Sequence, residues 1–162
     1  MSLEDITFDF IRNRENSMSG SDFRDNKFYP YFDVSRWSIG FGTLAGAHDY
    51  TGISVQEAIR RSKAHIKGDI ESLKNVLSPF RENQKVALLS YAYQHGPYGL
   101  TQSDFYKLAK QNKLTESWAL SQPYSSRRLA EVKKFNEIVS SSQIKFALLF
   151  AGFFLFFFAL KK

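Results

Sequence analysis

Glu15, Asp33 and Ser38 are the residues whose types and spacing carry chemistry. Glu15 follows an N-terminal amphipathic stretch, Asp33 closes Tyr31-Phe32-Asp33, and Ser38 stands in Trp37-Ser38-Ile39-Gly40-Phe41-Gly42. Two carboxyl groups on opposite sides of one sugar linkage are the minimum equipment for breaking a glycosidic bond. One is protonated and donates to the leaving oxygen; the other is ionised and activates water or stabilises developing positive charge. A helix C-terminus presents unpaired carbonyls and negative potential, and partial burial disfavours charge, so Glu15 is expected to stay protonated as the general acid. Asp33, at the exposed end of a hairpin, is expected to be ionised. With Ser38 it would position the attacking water or stabilise an oxocarbenium-like transition state. A wide gap between the carboxyl groups would give inversion, a narrow one retention.

The elements that must position these groups are legible in outline. Leu3, Ile6, Phe10 and Ile11 recur at helical spacing, predicting a first helix from about Leu3 to Arg14. Asn16 to Lys27, rich in Ser, Asn, Asp and Gly, reads as an exposed loop. Tyr29 to Asp33 and Trp37 to Leu44 read as strands, with Val34-Ser35-Arg36 as the turn between them. Ser54-Val55-Gln56-Glu57 fits a capping box, and Val55, Ile59, Ile66, Ile70, Leu73 and Leu77 continue one apolar stripe. That long helix, ended by Ser78-Pro79, would connect two lobes. Val86 to Tyr93 is apolar on nearly every face and predicts a helix buried in a helical lobe, broken at Gly96-Pro97-Tyr98-Gly99. Further helices are predicted near Gln102–Gln111, Leu114–Leu120 and Ser125–Ile138, and no internal repeat is present.

Composition narrows the function classes. A chain of 162 residues suits one domain with a proper core. It has no cysteine, which excludes disulfides and thiol chemistry, and His48, His65 and His95 show no metal-ligand spacing. No cofactor is expected. The net charge of +6 is half supplied by Lys145, Lys161 and Lys162. The remaining mild excess suits an anionic polymer such as a bacterial wall and lacks the concentrated basic stripe of a nucleic-acid binder. The acidic start, Met1-Ser2-Leu3-Glu4-Asp5, does not read as a secretory signal.

Phe146 to Leu160 is an unbroken run of 15 apolar residues, seven of them Phe. Counted from Ile144, it makes a helix about 26 Å long at about 1.5 Å per residue. A hydrocarbon core of about 30 Å is within reach if Lys145 and Lys161 snorkel. A buried core helix normally keeps a polar face, and this run has none. The sequence therefore predicts a C-terminal transmembrane helix contacting the lipid bilayer, with residues 1–140 as the catalytic domain and 141–162 as its anchor; a hydrophobic oligomer contact is the alternative. Arg127, Arg128, Lys133, Lys134 and Lys145 precede the run and only Lys161 and Lys162 follow it, which places the domain on the cytoplasmic side.

Several segments resemble the phage-type lysozymes of glycoside hydrolase family 24. Phe10-Ile11-Arg12-Asn13-Arg14-Glu15 is similar to that family's first helix ending in its catalytic glutamate. Tyr31-Phe32-Asp33 resembles its Tyr-x-Asp, and Trp37 to Gly42 its Trp-Thr-Ile-Gly-Tyr-Gly strand. Asn83 to Gly96 is similar to its buried helix, Asn-Gln-x-x-Ala-Leu-x-Ser-Phe-x-x-Asn-x-Gly, and Arg127-Arg128-Leu129-Ala130-Glu131 to its late Arg-Arg-x-x-Glu. The likeness runs in order over about residues 3 to 138 and leaves the tail outside. It implies an α+β lysozyme-like fold, with a small hairpin-bearing lobe and a mainly helical lobe. It also implies a muramidase: hydrolysis of the β-1,4 bond between N-acetylmuramic acid and N-acetylglucosamine in peptidoglycan, with Glu15, Asp33 and Ser38 as the catalytic set.

The chain departs from the family in having Asn16 after the glutamate where Gly is usual, Ser38 for Thr, Thr43 for His, and an enlarged loop between the two acids. Asp22 and Asp25 in that loop are alternative second carboxylates. Gln94 and Arg128 read as structural. A lytic transglycosylase on the same fold, needing the glutamate alone, and an inactive wall-binding or structural virion protein are the other readings. With no peptidoglycan in the cytoplasm, the tail suggests a virion internal membrane, with other virion proteins as partners, or a tethered endolysin at the host inner membrane.

Overall fold

The computed structural model describes residues 1–13, 22–33 and 36–137. They form an α+β domain with seven helices and two small antiparallel sheets. Helix α1 spans Leu3–Arg12. It starts at a capping box in which the Asp5 amide donates to Ser2 Oγ (3.1 Å) and the Ser2 amide donates back to Asp5 Oδ2 (3.2 Å). Glu15 lies outside the described residues, as do Asn16 to Ser21 of the expected loop.

Lys27 belongs to a structured hairpin in place of the expected loop. Strands β1 (Phe23–Arg24) and β2 (Lys27–Phe28) are joined by Asp25 and Asn26, both with positive φ (50° and 58°). A two-residue turn with both central residues left-handed is the I′ type that matches strand twist, and Asp and Asn tolerate it best after glycine. The second sheet is β3 (Tyr31–Asp33), β4 (Arg36–Ile39) and β5 (Thr43–Leu44), in that order. Trp37 to Leu44 is therefore two strands, because Gly40 and Gly42 turn the chain with φ of 62° and 86°. A short 3-10 turn, Asp49–Thr51, leads to β6 (Ile53–Ser54), which pairs with β2.

Helix α2 spans Val55–Ser72 and α3 Lys74–Leu77. The expected single helix is interrupted at Leu73, where φ and ψ are −101° and 9°. Only half of the predicted capping box forms. The Glu57 amide donates to Ser54 Oγ (3.1 Å), but the Glu57 carboxylate turns to Arg60 and Arg61, whose hydrogen bonds hold it down at about 2. The buried face of α2 runs through Ala58, Ser62, Ile66 and Asp69, and so carries two polar residues that the Val55–Ile59–Ile66 stripe did not predict. Helix α4 (Glu82–Gln102) contains the expected break: Gly96 has φ 73° and ψ 165°, a region essentially closed to other residues, and Pro97 restarts the helix. Helices α5 (Asp104–Lys110), α6 (Glu116–Leu120) and α7 (Ser125–Asn136) complete the domain.

Two apolar clusters form the interior. One gathers Phe8 and Ile11 of α1, Phe28, Ile39, Phe41 and Ile53 of the sheets, Ala58 and Ile66 of α2, and Tyr93. The other lies among α4 to α7 around Leu88, Leu89, Leu100, Phe105, Val132 and Phe135. Ile70 of α2 packs against both, so this helix is the expected connector. Gly40 is fixed by packing as well as by its φ, since a Cβ there would stand 2.8 Å from Ala58 Cβ. The close approach is to α2. Gly40→Ala is expected to lower stability by about 1–3 kcal/mol. Gly68→Ala, with open space around the added methyl in mid-helix, is expected to raise it by about 0.5–1 kcal/mol. Urea unfolding midpoints of the two variants read both effects.

The expected membrane-spanning helix, and the membrane location built on it, are corrected. Among the described residues no helix is long and apolar enough to cross a membrane. α4, the longest at 21 residues, is broken at Gly96 and carries polar groups that bond to α7. Phe146–Leu160 and the rest of 141–162 lie outside the described residues. The architecture is the α+β domain.

Candidate functional site

Strand pairing decides where the hairpin presents its side chains. Tyr31 faces Ser38, Phe32 faces Trp37 and Asp33 faces Arg36. Directly opposed residues share a face and neighbours alternate, so Asp33 and Ser38 are on one face, Phe32 and Trp37 on the other. The two candidate groups differ sharply in access. Asp33 is exposed at the end of β3, whereas Ser38 is 0% exposed and its Oγ has no hydrogen-bond partner among the described residues. A buried hydroxyl without a partner is uncommon and costly. Thr43, standing where the resembling family has His, donates from its buried Oγ1 to the Ile39 carbonyl (3.1 Å) and closes the β4–β5 turn.

The alternative carboxylates are placed elsewhere. Asp25 sits in the exposed β1–β2 turn, and the Asp22 carbonyl accepts from the Tyr29 amide (2.8 Å) at the base of that hairpin. Both belong to the first sheet's hairpin, while Asp33 belongs to the second. Among the described residues there is no group of His, Asp and Glu suited to a metal ion.

Three contacts fix the hairpin lobe and α1 around this region. Asp49 accepts from both guanidinium nitrogens of Arg61 (2.6 and 2.9 Å) and from the Gly46 amide (2.7 Å), tying the 46–51 loop to α2. These donors, Arg61 first, hold the Asp49 carboxyl below the usual carboxylate range. Lys63 Nζ donates to Asp5 Oδ1 (2.5 Å), joining α1 to α2. Tyr93 of α4 donates its hydroxyl proton to the Phe41 carbonyl (2.8 Å), within the first apolar cluster. None of these has a sequence signature, because Asp49 and Arg61, or Phe41 and Tyr93, meet only through the fold.

The helical lobe holds a buried polar network. Glu131 is 0% exposed; its Oε1 accepts from Ser90 Oγ (2.7 Å) and Arg127 Nε (3.3 Å), and its Oε2 pairs with Arg128 Nη1 at 2.7 Å. Arg127 also donates to the Ser90 carbonyl (3.0 Å), and Arg128 to Gln94, with its guanidinium 4.3 Å over the Tyr91 ring. Asn83 Nδ2 caps the end of α7, donating to the carbonyls of Lys134, Phe135 and Glu137 (3.1, 3.3 and 2.7 Å). Asn83, Ser90 and Gln94 are thus the α4 side of a single α4–α7 joint. Gln94 and Arg128 are both members of this joint.

No family model, curated protein or solved structure matches this chain.

A second buried acid, besides Asp49, was not anticipated. Asp69 is buried on α2 with Oδ2 unpartnered among the described residues, and His65 Nε2 is 3.7 Å away. Burial pushes its carboxyl up, against a pull downward from His65. The folded state therefore holds the proton more tightly than the unfolded chain. The stability from Asp69 is complete below the ordinary carboxylate pKa of about 4 and is lost as pH rises through the raised value. Asp69→Asn is expected to flatten stability between pH 4 and neutrality and to raise it at pH 7, as urea midpoints across that range would read.

Proposed function

We propose that this chain is a peptidoglycan hydrolase of the muramidase type. It cleaves the β-1,4 bond between N-acetylmuramic acid and N-acetylglucosamine. Glu15 donates the proton to the leaving oxygen, and Asp33, on the same hairpin face as Ser38, handles water or positive charge on the sugar. The support that carries most weight is the meeting of distant segments. Asn83 to Gly96 and Arg127 to Glu131 resemble the phage-type lysozymes independently in sequence. In the fold they join through Ser90, Gln94, Arg127, Arg128 and Glu131. The Trp37–Gly42 segment is tied to the same α4 helix through Tyr93 and Phe41. Residues that resemble a family for a structural reason should interact, and these do.

A second reading has one observation in its favour. The burial of Ser38, with no partner for its hydroxyl, suits a lytic transglycosylase, in which no water need be held. Digestion of purified sacculi followed by mass spectrometry separates the readings. Reducing muramic ends support the hydrolase, 1,6-anhydromuramic ends the transglycosylase, and intact glycan leaves only the inactive wall-binding protein.

A further inference from the structure

We infer that the reverse face of the candidate hairpin is a second glycan-binding surface, with Phe32 and Trp37 as its stacking platform. The inference rests on the peptidoglycan reading above and adds a site outside the Asp33 face. Phe32 and Trp37 are directly opposed across β3 and β4, their ring centroids 5.6 Å apart and their planes at 71°. This edge-to-face pair is held in register by the strands, yet its members are 60% and 53% exposed. The interior at this hairpin is supplied by Ile39 and Phe41, and more than half of the surface of Phe32 and of Trp37 stays open to solvent. Large rigid rings with few torsions lose little entropy on binding. Their faces match the C–H face of a pyranose ring, which is apolar and slightly positive, through the same quadrupole attraction that orders aromatic pairs.

Charge favours a glycan over an anionic membrane as the occupant. The described lobe from Asp22 to Ser54 carries three cations, Arg24, Lys27 and Arg36, against four acids, Asp22, Asp25, Asp33 and Asp49. An anionic lipid surface is recognised by clustered Lys and Arg, and this lobe has no such excess. Alternation places the platform opposite Asp33 on one short hairpin. A strand bound there would thus be a neighbour of the strand being cut, as in a multistranded wall. The platform would hold the enzyme on insoluble wall and contribute nothing to the cutting of a short soluble glycan.

The test uses the full chain as wild type, Phe32→Ala/Trp37→Ala, Trp37→Phe and Glu15→Gln. Co-sedimentation with purified sacculi should fall about tenfold or more in the double alanine variant and be largely retained in Trp37→Phe. Glu15→Gln should still bind sacculi. Wall clearing by the double variant should fall in parallel, while cleavage of short soluble peptidoglycan fragments stays within about twofold of wild type. A matching melting temperature shows that the double variant is folded. With Trp118 replaced by Phe, Trp37 is the chain's remaining tryptophan, and its fluorescence should shift on adding N-acetylglucosamine oligomers. Unchanged sacculus binding by the double variant overturns the inference. So does sedimentation with phosphatidylglycerol vesicles in place of sacculi, or an equal loss on soluble fragments. Wall clearing by Glu15→Gln would sink the catalytic assignment instead and leave the binding result standing.

Discussion

Glu15→Gln is expected to slow wall clearing by about 10²- to 10⁴-fold, the usual contribution of a positioned general acid. In barrier terms that is about 3–5 kcal/mol, at roughly 1.4 kcal/mol for each factor of ten. Glutamine preserves the shape of the side chain and removes only the transferable proton, so the far-ultraviolet circular dichroism should be that of wild type. The effect should fall on the rate with little change in sacculus binding, because the proton is needed in the transition state and not in the bound ground state. A turbidity assay on purified walls, with reducing ends counted in parallel, reads both quantities. Equal clearing by wild type and Glu15→Gln would end the assignment. The same assay on Asp33→Asn then separates the two chemistries: a hydrolase loses its water-handling carboxylate, and a transglycosylase loses nothing.

The largest effect on stability is expected from Glu131→Ala. Glu131 is fully buried between Arg127 and Arg128, with Ser90 donating to the same carboxylate. Burial pushes its carboxyl up, and Arg128, Arg127 and Ser90 oppose that push. Removing one partner of a buried ion pair leaves the others uncompensated and costs about 3–5 kcal/mol. For a domain of this size that lowers the melting temperature by roughly 10 °C or more. Glu131→Gln, which keeps the volume and some hydrogen bonding but drops the charge, should fall between wild type and Glu131→Ala. Differential scanning calorimetry of the three proteins checks the order. A Glu131→Ala shift below 2 °C would mean that the α4–α7 joint is held by its apolar contacts alone.

Where a signal was local, the chain announced its structure. Ser54 caps α2, Gly96 and Pro97 interrupt α4 with a backbone conformation that only glycine adopts readily, and the apolar run from Val86 to Tyr93 is the most deeply buried helix segment. The β1–β2 hairpin was not visible because strands of two residues carry no period, and Asp25 and Asn26 serve loops and tight turns equally well. The break at Leu73 has no glycine or proline to mark it. The apolar run from Ile144 onward lies outside the described residues. A run of apolar residues states that water is avoided, not what replaces it, and among the described residues no helix is a membrane span.

By itself the sequence offered Glu15, Asp33 and Ser38 as candidates and determined the α+β alternation and the main helix boundaries, because caps, turn residues and apolar periodicity act over a few neighbouring residues. Only the tertiary structure decided that Ser38 is sealed while Asp33 is open, that Gly40 is pinned against Ala58, and that Phe32 and Trp37 face away from Asp33. It alone also joined Ser90 to Glu131 and Asp49 to Arg61. Burial and charge pairing between residues distant in the chain depend on how whole elements pack, and no window of sequence contains both partners.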